Sequence, residues 1–378
     1  MTAQLDVERQ RQARQYGRQK RALFFGQAAL GLAYLAILIL AGLAVDLRDA
    51  LAGAPGGPFG VVAAFFLVLW LVYTVVTFPL NLIGGWSLPR RYEISVQSLG
   101  QWLGDWLKGE GIGLILGLIL IEIVYTLLRL TPHVWWLIAA AIYVLFVIVL
   151  AQLGPVLLLP LFFKLTPLPP SELTDCLKEL ARRAGTRVRG IYSLNMSSKT
   201  TAANAMLAGL GRTRRVILGD TLLDCYTPKE IKAVFAHELG HQVHNDIARG
   251  IAEQAVLTLI SLYVANLALV FGVPLPGYRG IADVATMPYL ALVLGIVGAL
   301  TTPLVNGLSR RAERAADCYA LTTTDQPEAF VSTMIRLANQ NLAEYNPPHW
   351  VEALFYDHPS IAQRVGMAER YQDSGRCG

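Results

Sequence analysis

Residues 227–245 read TPKEIKAVFAHELGHQVHN, and the organisation of the rest of the chain follows from this stretch. It opens with the signals of a helix start. Thr227 offers a side-chain cap, Pro228 suits the first turn, and Glu230 completes a capping box. The sequence therefore predicts one helix that runs through residue 245.

Two histidines of this helix, His237 and His241, are four residues apart. Such residues share a helix face and lie about 6 Å apart along the axis, so both imidazoles can reach one metal ion. Zn²⁺ suits this geometry, because three protein ligands leave a fourth position for a water molecule whose pKa falls toward about 7. Glu238 lies beside them and can take the proton of that water. A helix that carries this pattern by chance is the competing interpretation.

His244 lies on a similar face of the helix, three residues after His241. Seven residues of helix place it about 10 Å along the axis from His237. Both side chains could not then bind one ion at a distance of about 2 Å. We expect local hydrogen bonding or solvent contact for His244 instead.

A third ligand is expected in the run SRRAERAADCYAL, residues 309–321, where Glu313 and Asp317 are four residues apart on a predicted helix. Glu313 would complete a His-His-Glu site. Asp317, one turn later, could orient a ligand imidazole through its free N–H, as carboxylates near metal sites commonly do. The competing interpretation is an exposed, charged helix.

The composition places this site next to a membrane. Hydrophobic residues make up 54% of the 378 residues and charged residues only 16%, whereas soluble domains carry about 25% charged residues. Six apolar runs are long enough to cross about 30 Å of hydrocarbon. They cover approximately residues 22–45, 60–85, 111–130, 134–163, 248–272 and 286–306.

The distribution of basic residues predicts the orientation. Residues 1–21 form a basic leader, Arg90, Arg91 and Lys108 follow the second run, and the loops between hold almost nothing basic. By the positive-inside rule the N-terminus is cytoplasmic. Six crossings then put two polar segments, 164–247 and 307–378, on the same face, where they can form one domain of about 150 residues. Residues 22–163 and 248–306 supply the first four and the last two spans.

Several classes of protein are disfavoured. The four cysteines are far apart without a C-x-x-C pair, so we expect reduced thiols rather than disulfides or a thiolate zinc site. Basic residues interleaved with stacking aromatics on a folded face are absent, which argues against a nucleic-acid partner. Glu122 and Glu253 lie in or near apolar runs, and we expect both to make polar contacts in the protein interior.

The first polar segment contains recognisable elements. Residues 171–185 predict an amphipathic helix that ends at Gly185. The runs VRGIYSL (188–194) and RRVILGD (214–220) are rich in β-forming residues, and they predict a small sheet or a hairpin before the metal-binding helix.

Taken together, these residues resemble the integral-membrane metallopeptidases typified by the type I CAAX prenyl endopeptidases. The resemblance covers residues 88–364 and includes HExxH followed by ExxxD after two more spans. It also includes DWLKG (105–109), PVLLLPLFFKLTPLP (155–169), SSKTTAANA (197–205), RVILGDTLLD (215–224) and DHPSIAQR (357–364).

The resemblance implies roles for residues that spacing alone does not select. His358 would stabilise the oxyanion, Asn204 and Ala205 would belong to an edge strand that holds an extended substrate, and Arg364 would lie near the site. His237, His241 and Glu313 would hold one Zn²⁺, with Glu238 as general base. The family also implies helices around a water-filled chamber. Eukaryotic members have seven spans where six are found here, and Met206 and Leu207 stand where members often carry aromatic residues.

We therefore predict a predominantly α-helical, polytopic membrane protein with a cytoplasmic HExxH domain that contains a small β-sheet. Its predicted activity is zinc-dependent cleavage of peptides or proteins at the cytoplasmic face of the bilayer, with prenylated substrates as candidates. A broader quality-control membrane metalloprotease is one alternative. The other, from a different class, is a chamber that binds lipidated ligands and has only vestigial catalysis.

Overall fold

The computed structural model describes residues 3–186, 190–209, 215–272 and 277–377. Within these residues, six helices are long and apolar enough to cross a membrane. The predicted number of spanning helices is confirmed. They run over Val7–Leu40, Gly57–Arg91, Leu99–Leu130, Trp135–Phe162, Asp246–Gly272 and Val284–Thr324.

The helices are longer than the apolar runs that predicted them. The first begins at Val7, not at residue 22, and the last ends at Thr324, not at residue 306. Extending an existing helix is easier than starting one, so helices continue past the membrane until a cap ends them. Asp6 caps the first helix through the N–H groups of Glu8 and Arg9. Asp325 ends the last one in the left-handed conformation, with φ of 50°.

Two of the spanning helices contain a short π-helical segment, Ile83–Ser87 in the second and Gly154–Leu158 in the fourth. Pro155 lies within the second segment and Pro89 follows the first by two residues, and the missing N–H of a proline interrupts the helical hydrogen-bond ladder. The elements up to residue 162 are α1 (Val7–Leu40), α2 (Leu43–Ala50), α3 (Gly57–Leu82), α4 (Leu88–Arg91), α5 (Leu99–Leu130), α6 (Trp135–Leu153) and α7 (Leu159–Phe162).

The basic leader is helical from residue 7 onward and packs on the polar part of the chain. Arg21 Nη1 lies 2.7 Å from Glu344 Oε1, and little of either side chain is exposed. Gln10 donates to the carbonyl oxygen of Ala343 over 3.1 Å and accepts from the N–H of Tyr345 over 2.9 Å. In addition to carrying positive charge, the leader therefore binds the C-terminal segment through these side-chain contacts.

The two polar segments share one hydrophobic core. Leu177, Phe235 and Leu239 from the first segment cluster with Leu321 and Phe330 from the second. The elements are β1 (Leu165–Pro167), α8 (Glu172–Arg183), β2 (Ile191–Leu194), β3 (Ala205–Ala208), β4 (Arg215–Gly219), α9 (Asp220–Cys225), α10 (Pro228–Val243), α11 (Asp246–Gly272), α12 (Met287–Thr324), α13 (Pro327–Gln340), α14 (His349–Phe355) and α15 (Ile361–Ser374).

The four strands form one mixed sheet in the order β1-β2-β4-β3. β2 and β4, which carry the two predicted β-rich runs, pair in parallel with Ile191 opposite Val216. The prediction of a small sheet is confirmed, whereas the hairpin alternative is wrong for these two runs because a hairpin requires antiparallel strands. Residues 187–189 and 210–214 of this region lie outside the described residues.

The expectation of four reduced thiols is wrong for one pair. Cys318 of α12 and Cys377 after α15 form a disulfide across 59 residues of sequence. Cys176 and Cys225 are free and exposed. The sequence offered no signal for the pair, because only the docking of α15 against α12 brings the two sulfur atoms together.

The two glutamates in the apolar regions have different surroundings. Glu253 of α11 pairs with Arg249 one turn earlier, with Oε1 2.9 Å from Nε. The Oε2 atom of Glu122 in α5 is buried and has no hydrogen-bond partner in the described part of the chain. Glu253 therefore makes a polar contact, but about half of the Arg249 side chain is exposed, so this is not the interior contact that was expected.

Candidate metal centre

Helix α10 is built as the capping signals predict. The hydroxyl of Thr227 accepts the N–H of Glu230 over 3.4 Å, and Glu230 Oε2 accepts the N–H of Thr227 over 2.8 Å. The helix ends at Val243, two residues earlier than predicted, with His244 as its C-cap. His237 and His241 lie one turn apart near the C-terminal end of this helix.

A close contact between helices brings the third ligand to these histidines. Gly240 of α10 faces Ala316 of α12, and a β-carbon at Gly240 would lie 2.8 Å from Ala316 Cα. Only glycine permits this approach. Because Glu313 precedes Ala316 by one turn of α12, the contact places its carboxylate beside both imidazoles.

The ligand atoms of His237, His241 and Glu313 all lie within 4.8 Å of one another. The two Nε2 atoms are 3.2 Å apart. Glu313 Oε2 is 3.2 Å from His237 Nε2, and its Oε1 is 3.4 Å from His241 Nε2. Tetrahedral zinc ligands at 2.0–2.1 Å from the ion are separated by about 3.3–3.4 Å. The three side chains therefore have the spacing of zinc ligands.

The Nδ1 atoms of both imidazoles lie within hydrogen-bond distance of carboxylates. His237 Nδ1 is 2.9 Å from Asp317 Oδ1, and His241 Nδ1 is 2.8 Å from Asp246 Oδ2. A carboxylate at Nδ1 fixes the tautomer that keeps the proton there, so both Nε2 atoms present lone pairs to each other. Glu313 Oε2 is buried with no hydrogen-bond partner among the residues described. The lone pairs of the two Nε2 atoms and the Glu313 carboxylate repel one another, and a cation bound between them would relieve this repulsion. The residues present therefore fit a divalent metal.

Without a metal, a proton supplies that positive charge. Burial disfavours a charged His237, but its hydrogen bond to Asp317 and the adjacent Glu313 carboxylate outweigh burial and raise its pKa to about 9. The site is thus built to hold a positive charge at this position. Metal and proton compete for the same Nε2 lone pair.

Asp317 is held in turn by Arg364 of α15. Arg364 Nε donates to Asp317 Oδ2 over 2.8 Å, and both side chains are buried. The guanidinium neutralises the carboxylate that orients His237, which compensates for burying a charge. The family resemblance implied that Arg364 lies near the site, and the structure gives it this specific partner.

Glu238 and Glu313 both line a cavity of about 380 Å³ between α10, α11 and α12. His358 contacts Glu313, with its Nε2 atom 3.2 Å from Glu313 Oε2. Asp357 Oδ1 lies 2.8 Å from His358 Nδ1. The structure therefore places Glu238 in the same cavity as Glu313, and His358 against the Glu313 carboxylate.

Asn204 directly precedes β3, an edge strand of the sheet, and Ala205 is the first residue of that strand. The carbonyl oxygen of Asn204 accepts the N–H of Gly219 over 2.9 Å. Because carbonyl and following N–H point in opposite directions across a trans peptide, the N–H of Ala205 faces the free edge. Asn204 Oδ1 covers that N–H over 2.9 Å. The side chain of Leu207 in this strand lies outside the described residues.

His244 does not belong to the metal group, which comprises His237, His241 and Glu313. Its ring contacts Tyr319 edge to face, with the centroids 6.2 Å apart. The distance argument that excluded His244 agrees with this placement.

The comparisons with known proteins identify the family. The sequence profile of peptidase family M48 matches residues 167–372, which include every residue of the metal centre. The chain belongs to peptidase family M48. A second profile, described as CAAX prenyl protease N-terminal with five membrane helices, matches residues 1–164.

Full-length relatives agree with this membership. The chain is 31% identical over 366 residues to an uncharacterized metalloprotease of Bacillus subtilis, YhfN, covering 96% of this chain and 86% of the relative. It is 26% identical over 325 residues to CAAX prenyl protease 1 of Saccharomyces cerevisiae, covering 80% of this chain and 70% of that protein. This M48 chain is thus a membrane metalloprotease.

A solved structure confirms the fold. The crystal structure of S. mikatae Ste24p superimposes with a TM-score of 0.83 at 22% identity, covering 96% of this chain and 89% of that chain. The N-terminal profile describes five membrane helices. Among the described residues up to 164, this M48 chain has four helices of spanning length.

Sequence reasoning missed one residue of the M48 site, Asp246. It lies five residues after His241, at the start of α11, where the turn at Asn245 bends the chain back toward the imidazole. The signal was a carboxylate directly after the helix that carries the ligands. An acidic residue at a helix N-terminus has the ordinary explanation that it favours the helix dipole, so the residue was not distinctive.

Proposed function

We propose that this chain is a zinc-dependent endopeptidase that hydrolyses extended peptides, with Glu238 as general base and His358 as oxyanion donor. The observation that carries the proposal is the tetrahedral spacing of the three ligand atoms beside an open cavity lined by Glu238. Two imidazoles and one carboxylate are the ligand set of many catalytic zinc sites.

The residues divide the chemistry among them. Bound zinc would polarise the scissile carbonyl and make the attacking water acidic. Glu238, at the cavity wall, takes the proton of this water and passes it to the leaving amine. His358, whose Nε2 atom lies 3.2 Å from Glu313 Oε2, donates toward the oxygen on which negative charge develops. Asp317 and Asp246 hold the two imidazoles in the required tautomer.

The substrate is proposed to bind as an added strand along β3. The free edge presents the N–H of Ala205, and an extended peptide can bond there by β-augmentation. The Asn204 side chain, which covers this N–H in the absence of substrate, would turn to a substrate backbone group. Since α10 packs against β3, such a peptide would run beside the helix that carries the metal ligands.

The substrate class is proposed to include prenylated CAAX peptides at the cytoplasmic face. The matching N-terminal profile and the yeast relative carry the CAAX protease name. The basic leader and the even number of spans support a cytoplasmic site. Cys176 and Cys225 offer a direct check, because both are free and exposed in the domain. In intact cells, a membrane-impermeant maleimide should label them only after lysis, and labelling before lysis would reverse the orientation.

The test of activity compares wild type with Glu238→Gln in detergent on a prenylated CAAX peptide and on the same peptide without its lipid. We expect wild type to cleave the prenylated peptide and Glu238→Gln to lose at least about 100-fold in kcat. Glu369→Gln, at an exposed glutamate of α15, is the matched control and should retain full activity.

Each outcome of this test has one meaning. Equal rates for wild type and Glu238→Gln on both peptides would contradict catalysis at this site. Equal cleavage of both peptides by wild type would reject the prenyl specialisation and support a broader membrane protease.

A further inference from the structure

Two side chains of α12 bind the carbonyl oxygens at the C-terminal end of α14. Arg310 Nη1 donates to Tyr356 O over 2.6 Å and to Glu352 O over 3.0 Å, and Asn306 Nδ2 donates to Leu354 O over 2.9 Å. The last carbonyls of a helix lack partners within the helix, and a cation there is favourable. The end of α14 is therefore fastened to α12.

The fastened backbone leads directly to His358. The Tyr356 carbonyl precedes Asp357, and His358 follows at once. About half of the His358 side chain is exposed, at 47%, so packing alone does not fix its position. Two residues after His358, the Ser360 hydroxyl caps α15 by accepting the N–H of Gln363. His358 is thus held by a short segment anchored at both ends.

The same helix carries the metal ligand. Asn306, Arg310 and Glu313 occupy positions i, i+4 and i+7 of α12 and so lie on one face. A rigid helix connects the carboxylate that binds the metal with the guanidinium that holds the segment before His358. The distance between the metal ligand and the oxyanion donor is then set by helix geometry.

We propose that Arg310, assisted by Asn306, is a positioning residue that fixes His358 relative to Glu313. This inference rests on the proposed function, because it assigns Arg310 an effect on catalysis through His358. The neighbouring Arg311 is exposed and provides a matched control of the same charge on the same helix.

The kinetic test uses Arg310→Ala, Arg310→Lys, Arg311→Ala, His358→Ala and the double variant Arg310→Ala/His358→Ala with the prenylated peptide. We expect Arg310→Ala to lower kcat by about 10- to 100-fold, with KM and zinc content near those of wild type. Arg310→Lys should recover part of the lost kcat, and Arg311→Ala should have the same kcat as wild type. The double variant should be no slower than His358→Ala, since Arg310 acts through His358. Additive losses, or loss of zinc in Arg310→Ala, would overturn the proposal.

A second measurement does not depend on activity. Hydrogen exchange of residues 353–360 should be faster in Arg310→Ala than in wild type and unchanged in Arg311→Ala, because Arg310 binds this segment and Arg311 does not. Unchanged exchange in Arg310→Ala would reject the anchoring. If wild type were no more active than Glu238→Gln, the proposed function would fail, and the exchange result would still decide whether Arg310 anchors the segment.

Discussion

Gly240 and Ala316 make the contact on which the metal site depends: a β-carbon on Gly240 would lie 2.8 Å from Ala316 Cα and 3.1 Å from its carbonyl oxygen. Both neighbouring atoms belong to the backbone of α12, so a flexible side chain cannot move away to make room. The distance between α10 and α12, and with it the position of Glu313, is therefore set by the absence of a side chain at residue 240.

Gly240→Ala should weaken metal binding while leaving the protein folded. The added methyl group pushes α12 away by several tenths of an ångström, which separates Glu313 from the histidines. Zinc affinity, measured by competition with a chelator, should fall by at least about 10-fold. Gly298→Ala is the matched control on α12, since nothing lies within 4 Å of a β-carbon there. Unaltered affinity in Gly240→Ala would show that the helices do not need this close approach.

Asp246→Asn should also lower metal affinity. The carboxylate holds the Nδ1 proton of His241 over 2.8 Å, and losing such a partner typically reduces affinity about 10- to 100-fold. The same chelator competition measures the effect, with the exposed Asp373→Asn as control. If the two variants bound zinc equally well, Asp246 would have no part in orienting His241.

Zinc binding to the metal-free protein should release a proton from His237. Its pKa is raised to about 9, so at pH 7.5 the metal-free side chain is protonated, whereas an ordinary histidine with pKa about 6.5 is mostly neutral. Calorimetry in buffers of different ionisation enthalpy should find at least about one proton released at pH 7.5, because the proton of His237 adds to those from the zinc-bound water. The release from His237 should decline as pH rises through 9, and a release that only grew with pH would contradict this.

Asn204→Ala should raise KM more than it lowers kcat. Asn204 Oδ1 bonds the outward-facing N–H of Ala205 and does not contact the metal ligands, so we expect it to contribute to strand binding. Loss of a hydrogen bond of about 1 kcal/mol corresponds to roughly a fivefold rise in KM. Steady-state kinetics on the prenylated peptide tests this, and the control variant is Asn195→Ala, at the asparagine that directly follows β2. A loss confined to kcat would assign Asn204 a chemical role.

The leader contributes to stability through its ion pair. Arg21→Ala leaves the carboxylate of Glu344 buried without its cation, and breaking one partner of a buried pair costs about 3 kcal/mol. Thermal unfolding in detergent should occur at a lower temperature for Arg21→Ala than for the exposed Arg18→Ala. The double variant Arg21→Ala/Glu344→Gln should be more stable than Arg21→Ala. If the destabilisations of the two single variants simply added in the double variant, the pairing would be contradicted.

Periodicity and local chemistry made much of this protein predictable. A HExxH helix with its capping box, six apolar runs, and the i, i+4 spacing of Glu313 and Asp317 all depend on neighbouring residues, which a single sequence displays. The short strands β2 and β4 could be predicted as strands for the same reason. Their parallel pairing could not, because it depends on the crossover between them.

The sequence by itself determined that a helix holds two imidazoles on one face, that the chain enters a membrane, and that carboxylates follow the last span. The tertiary structure decided which distant groups meet: Asp246 with His241, Arg364 with Asp317, Arg310 with the segment before His358, and Cys318 with Cys377. The physical reason is that hydrogen-bond and metal distances vary by tenths of an ångström with the packing of helices. The packing of α10 on α12 is set at Gly240, whose importance appears only when Ala316 lies beside it.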